Sequence, residues 1–152
     1  MRKHTQHTQA KQIVIVDPKV DDYSCLVDLA DSGVIRWTMT STGASSLRLV
    51  ESHLDALWLI GVQLPDMSGL DLLEMLQSMA PRLTMFVVDG EYSSERECRA
   101  LQLSAARYLC KPVHPEWIAG WRGLSKHLPV AAVEPPKSQI VNPGVGAYKP
   151  TR

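Results

Sequence analysis

The sequence predicts an α/β protein: a three-layer, doubly wound, five-stranded parallel sheet of the flavodoxin-like kind. Three observations predict it. Short apolar runs alternate with helical patterns from Gln12 to Trp121, in five β-α units. Two of the runs, Ile13 to Val16 and Leu57 to Ile60, are apolar at every position, as in strands covered on both faces. Breakers and caps such as Pro18, Gly33 and Ser94 punctuate the boundaries. Parallel strands need crossovers, and right-handed crossovers make a doubly wound sandwich the simplest arrangement.

The elements follow in order. Ile13 to Val16 is a β-branched run, stopped by Pro18. Residues 20–32 place Val20, Tyr23, Leu26, Val27 and Ala30 at helical spacing, with Gly33 as the cap. Arg36 to Thr40 is a short strand with Trp37 and Met39 on one face. Gly43 to His53 reads as a second helix with a looser apolar face. Leu57 to Ile60 is the third strand and Leu70 to Met79 the third helix. Leu83 to Val88 is a strand. Ser94 and Glu97 form a capping-box pattern opening a helix to about Leu103. Ala106 to Cys110 is the fifth strand, and Glu116 to His127 the last helix.

The expected organisation is a flexible arm over residues 1–11, one domain over 12–127, and a flexible tail over 128–152. The tail from Pro129 holds five prolines and two glycines without an apolar face. His4 and His7 on the arm are a weak metal signal, having no further ligands. With 45% hydrophobic residues and only 6% aromatics, the core must rest on aliphatic side chains and methionine. Sixteen basic residues balance sixteen acidic ones, so the basic excess of a phosphate-gripping nucleic-acid binder is missing. Cys25, Cys98 and Cys110 have no metal-like spacing and read as reduced, mostly buried thiols. No apolar run is long enough to span a membrane, and the N-terminus lacks a secretory pattern. The expected location is the cytoplasm.

In doubly wound sheets, ligands sit outside the carboxyl ends of the strands. The residues there are Asp17, Gly61, Asp89 and Lys111. With their flanks they resemble the receiver domain of bacterial response regulators. IVIVDP resembles that family's first strand, which usually ends in two adjacent acids; Asp17 matches one and Pro18 stands at the other. LWLIGVQLPDMSGLDLL resembles the third strand and its loop, matching at Leu64-Pro65, at Met67-Ser68-Gly69 and in the helix that follows. Gly61 stands where the family has its phosphoacceptor aspartate. VVDGE resembles the fourth strand's end, with Asp89 in place of a threonine or serine. SAARYLCKP resembles the fifth-strand signature: Tyr108 matches the switch aromatic, Lys111 the lysine, and Pro112 the proline that in the family follows a cis peptide. The likeness covers about residues 12–127.

The resemblance implies a degenerate receiver. Gly61 offers nothing to a phosphoryl group. Asp17 and Asp89 are a remnant acidic pocket, and one carboxylate with a backbone carbonyl near Gln63 is a poor magnesium site. The expectation is no catalytic residue, no metal, no cofactor and no enzyme. The module would act by phosphorylation-independent contact with a protein partner, such as a kinase, regulator or output protein, or with a second copy in a homodimer. Direct nucleic-acid and membrane contacts are not expected. The family's usual contact face would here carry Tyr108, Trp117 and Trp121; the tryptophans lie four apart on one helical face and also fit plain core packing, as do Trp37 and Trp58.

Several readings stay open at this level. Asp89 either caps a turn with Gly90 or forms a salt bridge with Lys111 that fills the phosphoryl space. Asp66 reads as an exposed loop acid, Asp55 lies at the opposite end of the sheet, and Asp21 or Asp22 can approach the cleft. A true phosphoacceptor using another acid, and a small-molecule sensor using the pocket left by Gly61 and Gly90, are the competing functions. The absence of a P-loop or nucleophile-elbow pattern leaves a hydrolase least supported.

Overall fold

A computed structural model describes residues 10–117 and Trp121 of the 152. Of the expected arm over residues 1–11, residues 1–9 lie outside the described residues, as do the tail over 128–152 and the last helix from residue 118, apart from Trp121. Lys11 is not arm but the first residue of a strand, bonded through its N–H to Val34 O at 3.1 Å. The first compact unit runs to Val113, and a second begins at His114.

The first unit holds five parallel strands: β1 (Lys11–Val16), β2 (Ile35–Thr40), β3 (Leu57–Gly61), β4 (Thr84–Asp89) and β5 (Arg107–Cys110). Their order is β2-β1-β3-β4-β5, the flavodoxin-like arrangement, with its reversal beside β1. Val16 pairs with Ile60, Ile60 with Val87, and Val87 with Tyr108. Registered neighbours on parallel strands point to one face, and successive residues alternate. That row, continued by Val14, Trp58 and Met85, joins one buried cluster with Leu70, Leu72, Leu73, Leu76 and Ala100. Ile13, Ile15, Leu57, Leu59 and Val88 turn the other way and are buried too. Burial on both faces is why these strands read as unbroken apolar runs rather than as alternation.

The helices are α1 (Val27–Asp31), α2 (Gly43–Leu47), α3 (Gly69–Met79) and α4 (Ser94–Gln102). Three sequence expectations need correction. The first helix begins as a 3-10 helix over Val20–Leu26, because its bonds run three residues back, Asp22 N–H to the Lys19 carbonyl among them. Gly33 then takes a positive φ of 80°, which suits glycine just past a helix end. The second helix stops at Leu47 instead of His53. Arg48 and Leu49 bond three residues back, and the Ser46 hydroxyl donates to the Gly43 carbonyl at 2.6 Å, so the chain tightens into turns. The fourth helix is capped by Ser93, not Ser94: Ser93 Oγ accepts from Arg96 N–H at 3.2 Å. Its third position is therefore Arg96, and no reciprocal carboxylate closes a box.

Trp58 is fully buried, with its indole N–H donating to the His53 carbonyl at 3.1 Å, whereas Trp37 is half-buried on the edge strand. None of the three cysteines is in a disulfide, and Cys25 Sγ donates to the Val113 carbonyl at 2.8 Å; Cys98, on α4, is exposed, contrary to the expected burial. In the second unit, a 3-10 turn over Pro115–Trp117 sets the His114 ring edge-on to Trp117, 4.7 Å between centroids. Trp117 is buried and Trp121 half-buried.

Candidate functional site

The carboxyl ends of β1, β3, β4 and β5 meet around a cleft of about 350 Å3, lined by Asp17, Lys19, Gln63, Asp89, Arg96 and Lys111 among others. The strand register continues past the strands. Asp17 N–H bonds to Thr40 O at 2.9 Å, Val62 N–H to Val88 O at 3.1 Å, and Lys111 N–H to Asp89 O at 2.8 Å. The side chains at these ends are thus set by the sheet rather than by loose loops.

Alternation sorts them into two clusters. Asp17 follows the parity of Ile15, and Lys111 that of Leu109, so both leave on the face opposite the large buried cluster. There Lys111 Nζ lies 2.8 Å from Asp17 Oδ2 and 2.8 Å from Asp22 Oδ2. Tyr23 donates its hydroxyl to Asp17 Oδ2 at 2.8 Å, and Lys19 N–H donates to Oδ1 at 2.9 Å. Asp17 is 2% exposed, so a solitary carboxylate would be costly and these donors are what make its burial tolerable. Burial alone lowers the Lys111 pKa, but the two carboxylates outweigh it and raise it. Tyr23 is pushed far above the ordinary phenol value, first by burial and then by Asp17.

Asp89 follows the parity of Val87 and leaves on the other face, with Tyr108. Of the two readings of Asp89, the salt bridge with Lys111 is therefore not formed, since the two side chains depart from opposite sides of the sheet; the Asp89 carboxylate instead caps the turn through Gly90 by accepting from Glu91 N–H. Asp89 is paired with Arg96, whose Nε lies 2.6 Å from Oδ2. The Tyr108 hydroxyl donates to the same oxygen, and Glu91 N–H donates to Oδ1 at 3.2 Å. Ser93 N–H in turn donates to Tyr108 Oη at 3.1 Å, and Arg96 donates to the Glu91 carbonyl at 3.1 Å. Tyr108 is buried, and its ring meets Tyr92 edge-on. The Lys111–Pro112 peptide is cis.

Burial alone raises the Asp89 pKa, but Arg96, Tyr108 and the Glu91 amide outweigh it and hold the carboxyl below the usual carboxylate range. A carboxyl depressed in the folded state stabilises above its unfolded pKa of about 3.9, and that stability is lost as pH falls through the folded value. Thermal unfolding should thus show a stability loss below about pH 4, and Asp89→Asn should flatten part of that acid limb. An identical acid limb in the variant counts against the assignment.

At Gly61 the space beside the backbone is taken. A Cβ there would lie 2.6 Å from Asp17 Oδ2 and 2.8 Å from its Cγ. The Asp17 carboxylate is held there by Tyr23, Lys111 and the Lys19 amide, so it cannot swing aside freely. Both its oxygens are engaged, Pro18 supplies no second acid, and among the described residues no group of three or more metal-ligating side chains is placed together. These residues do not fit the magnesium site that the receiver resemblance implies.

The loop after β3 is fixed independently. Asp66 accepts from Gly43 and Ala44 N–H, both at 2.9 Å, and these bonds hold its pKa below the usual range. The exposed acid thus caps α2 from another loop. Asp55 is exposed before β3, and Asp21 is exposed while Asp22 reaches Lys111. Two residues were missed by sequence reasoning: Tyr23 and Arg96. Tyr23 reads from its spacing as part of the apolar face of its helix; its position six residues after Asp17, on the element that follows β1, is the available signal. Arg96 was hidden inside an assumed capping box.

The arrangement defines a class: a doubly wound α/β domain whose strand ends carry a buried acid, a lysine before a cis proline and a buried tyrosine. The model of the response regulator receiver domain matches residues 13–120, and the chain belongs to that family. It is similar to a CheY-like response regulator receiver domain protein from Methanospirillum hungatei JF-1, with 27% identity, a TM-score of 0.64, and coverage of 78% of this chain and 90% of that one. The signal receiver domain of an HD domain-containing protein from Pseudomonas fluorescens Pf-5 shares the fold, with a TM-score of 0.65, 22% identity, and coverage of 78% and 96%. The transcriptional regulatory protein CusR of Escherichia coli (strain K12) is 29% identical over 87 residues, 57% of this chain and 34% of that protein. This chain spans about a third of the length of the curated relatives it matches. Among the described residues no helix is long and apolar enough to cross a membrane.

Proposed function

We propose that this receiver domain is a pseudo-receiver that signals by protein contact without being phosphorylated, as a non-enzymatic cytoplasmic module of two-component or transcriptional control. The observation that carries the reading is the placement of Asp17. Its carboxylate fills the volume beside Gly61 where a side chain would start, and Lys111 is committed to Asp17 and Asp22. The cation that would meet a phosphoryl group is thus neutralised within the protein. Gly61 has no nucleophile, and the buried acids among the described residues, Asp17 and Asp89, are both occupied by donors. A kinase, regulator or output protein, or a second copy, is the class of partner such a module serves.

Incubation with acetyl phosphate and Mg2+, followed by intact-mass and peptide mapping, tests this. The expected result is no aspartyl phosphate on the wild-type chain. A stable phosphorylated carboxylate at Asp17, Asp22 or Asp89 would overturn the reading in favour of a phosphoacceptor with a displaced nucleophile. Gly61→Asp should also remain unlabelled, because its side chain and that of Asp17 compete for one space and leave no magnesium site among the described residues.

A further inference from the structure

We propose that Asp89 is a built-in clasp: its bonds to Arg96, Tyr108 and Glu91 hold the β4–α4 loop and the Tyr108 ring in a single arrangement, whatever the cleft contains. This deepens the pseudo-receiver reading by naming how that site is regulated, and it stands or falls on separate observations. The clasp is a closed circuit. Asp89 ends β4, and its carboxylate, nearly buried, takes Arg96 Nε at 2.6 Å and the Tyr108 hydroxyl from β5. Tyr108 Oη receives Ser93 N–H at 3.1 Å, and Ser93 Oγ receives Arg96 N–H at 3.2 Å, which closes the ring at the start of α4. The Arg96 guanidinium also holds the Glu91 carbonyl at 3.1 Å. Four residues thus tie three elements together, and the Arg96 and Tyr108 links both end on one carboxylate.

The physical consequence follows from the donors. A hydroxyl-bearing side chain in place of Asp89 would carry no charge for Arg96 and would offer a weaker acceptor to Tyr108. The carboxylate accepts charge-assisted bonds, which are the strong kind. A loop held this way has little freedom to rearrange, since opening it strands a carboxylate from its cation in a poorly solvated place. The start of α4 and the edge of β5 are therefore presented in one state. The clasp lies on the sheet face opposite the Asp17–Lys111 cluster, so events at that cluster do not need to pass through it.

Site-resolved amide exchange on the full chain tests the clasp. In Asp89→Asn the Ser93 and Arg96 amides should exchange about tenfold faster, with Ile15 and Leu59 changing much less. Tyr108→Phe, which keeps the ring and removes the hydroxyl, should accelerate Ser93. Inorganic phosphate added to the wild-type chain should leave both amides unchanged. Unaltered Ser93 and Arg96 protection in the two variants overturns the proposal, as does acceleration only in step with Ile15 and Leu59, or slowing by phosphate. Phosphoryl labelling with the clasp intact would instead defeat only the pseudo-receiver reading.

Discussion

Lys111→Met is expected to destabilise the domain by about 3 kcal/mol, the cost of leaving a buried carboxylate without its cation. Asp17 is 2% exposed and the Lys111 side chain only 16% exposed, so solvent cannot take over the missing charge. Tyr23 and the Lys19 amide remain as donors, which keeps the loss at the low end for a broken buried pair. For a domain of this size the shift in Tm is roughly 10 °C. Chemical or thermal unfolding measures it. The double variant Lys111→Met with Asp17→Asn should recover much of the loss, because an amide needs no counter-charge. The pH dependence carries a second signature. The Lys111 pKa is raised on folding, so its contribution is complete below the unfolded value of about 10.4 and disappears as pH rises through the folded value. The wild-type chain should lose stability on that alkaline side more steeply than the methionine variant. Equal stability of the two proteins at neutral pH would show that the cluster is solvated and that Lys111 is not committed to it.

Gly69→Ala is the second large effect, again about 3 kcal/mol of destabilisation. Gly69 opens α3, and its N–H bonds to Val62 O at 2.7 Å, which brings the helix start against the end of β3. An added Cβ would collide with the Gly61 carbonyl oxygen and lie 2.8 Å from the Gly61 carbonyl carbon and 2.9 Å from Val62 Cα. These are backbone atoms and cannot rotate away. Helix propensity argues the other way, since alanine in place of glycine ordinarily gains up to about 1 kcal/mol. The predicted sign therefore separates close approach from propensity. Gly90→Ala is the matched control: nothing lies within 4 Å of its Cβ position, and its effect should stay within about 0.5 kcal/mol. A stabilised Gly69→Ala protein would remove the close-approach account of this loop. The collision also bears on the site, because it is Gly61 whose backbone carries the helix.

The strands were the most legible part of the chain. Burial on both faces writes itself as an uninterrupted apolar run, so β1 and β3 could be placed within two residues at either end. Helix ends were less legible. The serines after Gly43 compete with the backbone for its own carbonyls, and the chain tightens at Leu47 although the apolar spacing continues toward Val50. Capping follows geometry rather than pattern, which is why Ser93 rather than Ser94 closes α4. The residues of the site were nearly all named in advance, since strand ends and the Leu-Pro, Ser-Gly and Lys-Pro segments are local signals. Their partners were not.

The sequence by itself determined the layer architecture, the residues at the strand ends and the glycine at position 61, because each is written in local spacing or in one residue's chemistry. Only the tertiary structure decided who holds whom. Asp89 went to Arg96 and Lys111 to Asp17 because the pleat alternates and the register of four strands fixes which side of the sheet each side chain leaves by. That parity depends on pairings between segments far apart in the chain, and no stretch of sequence contains it.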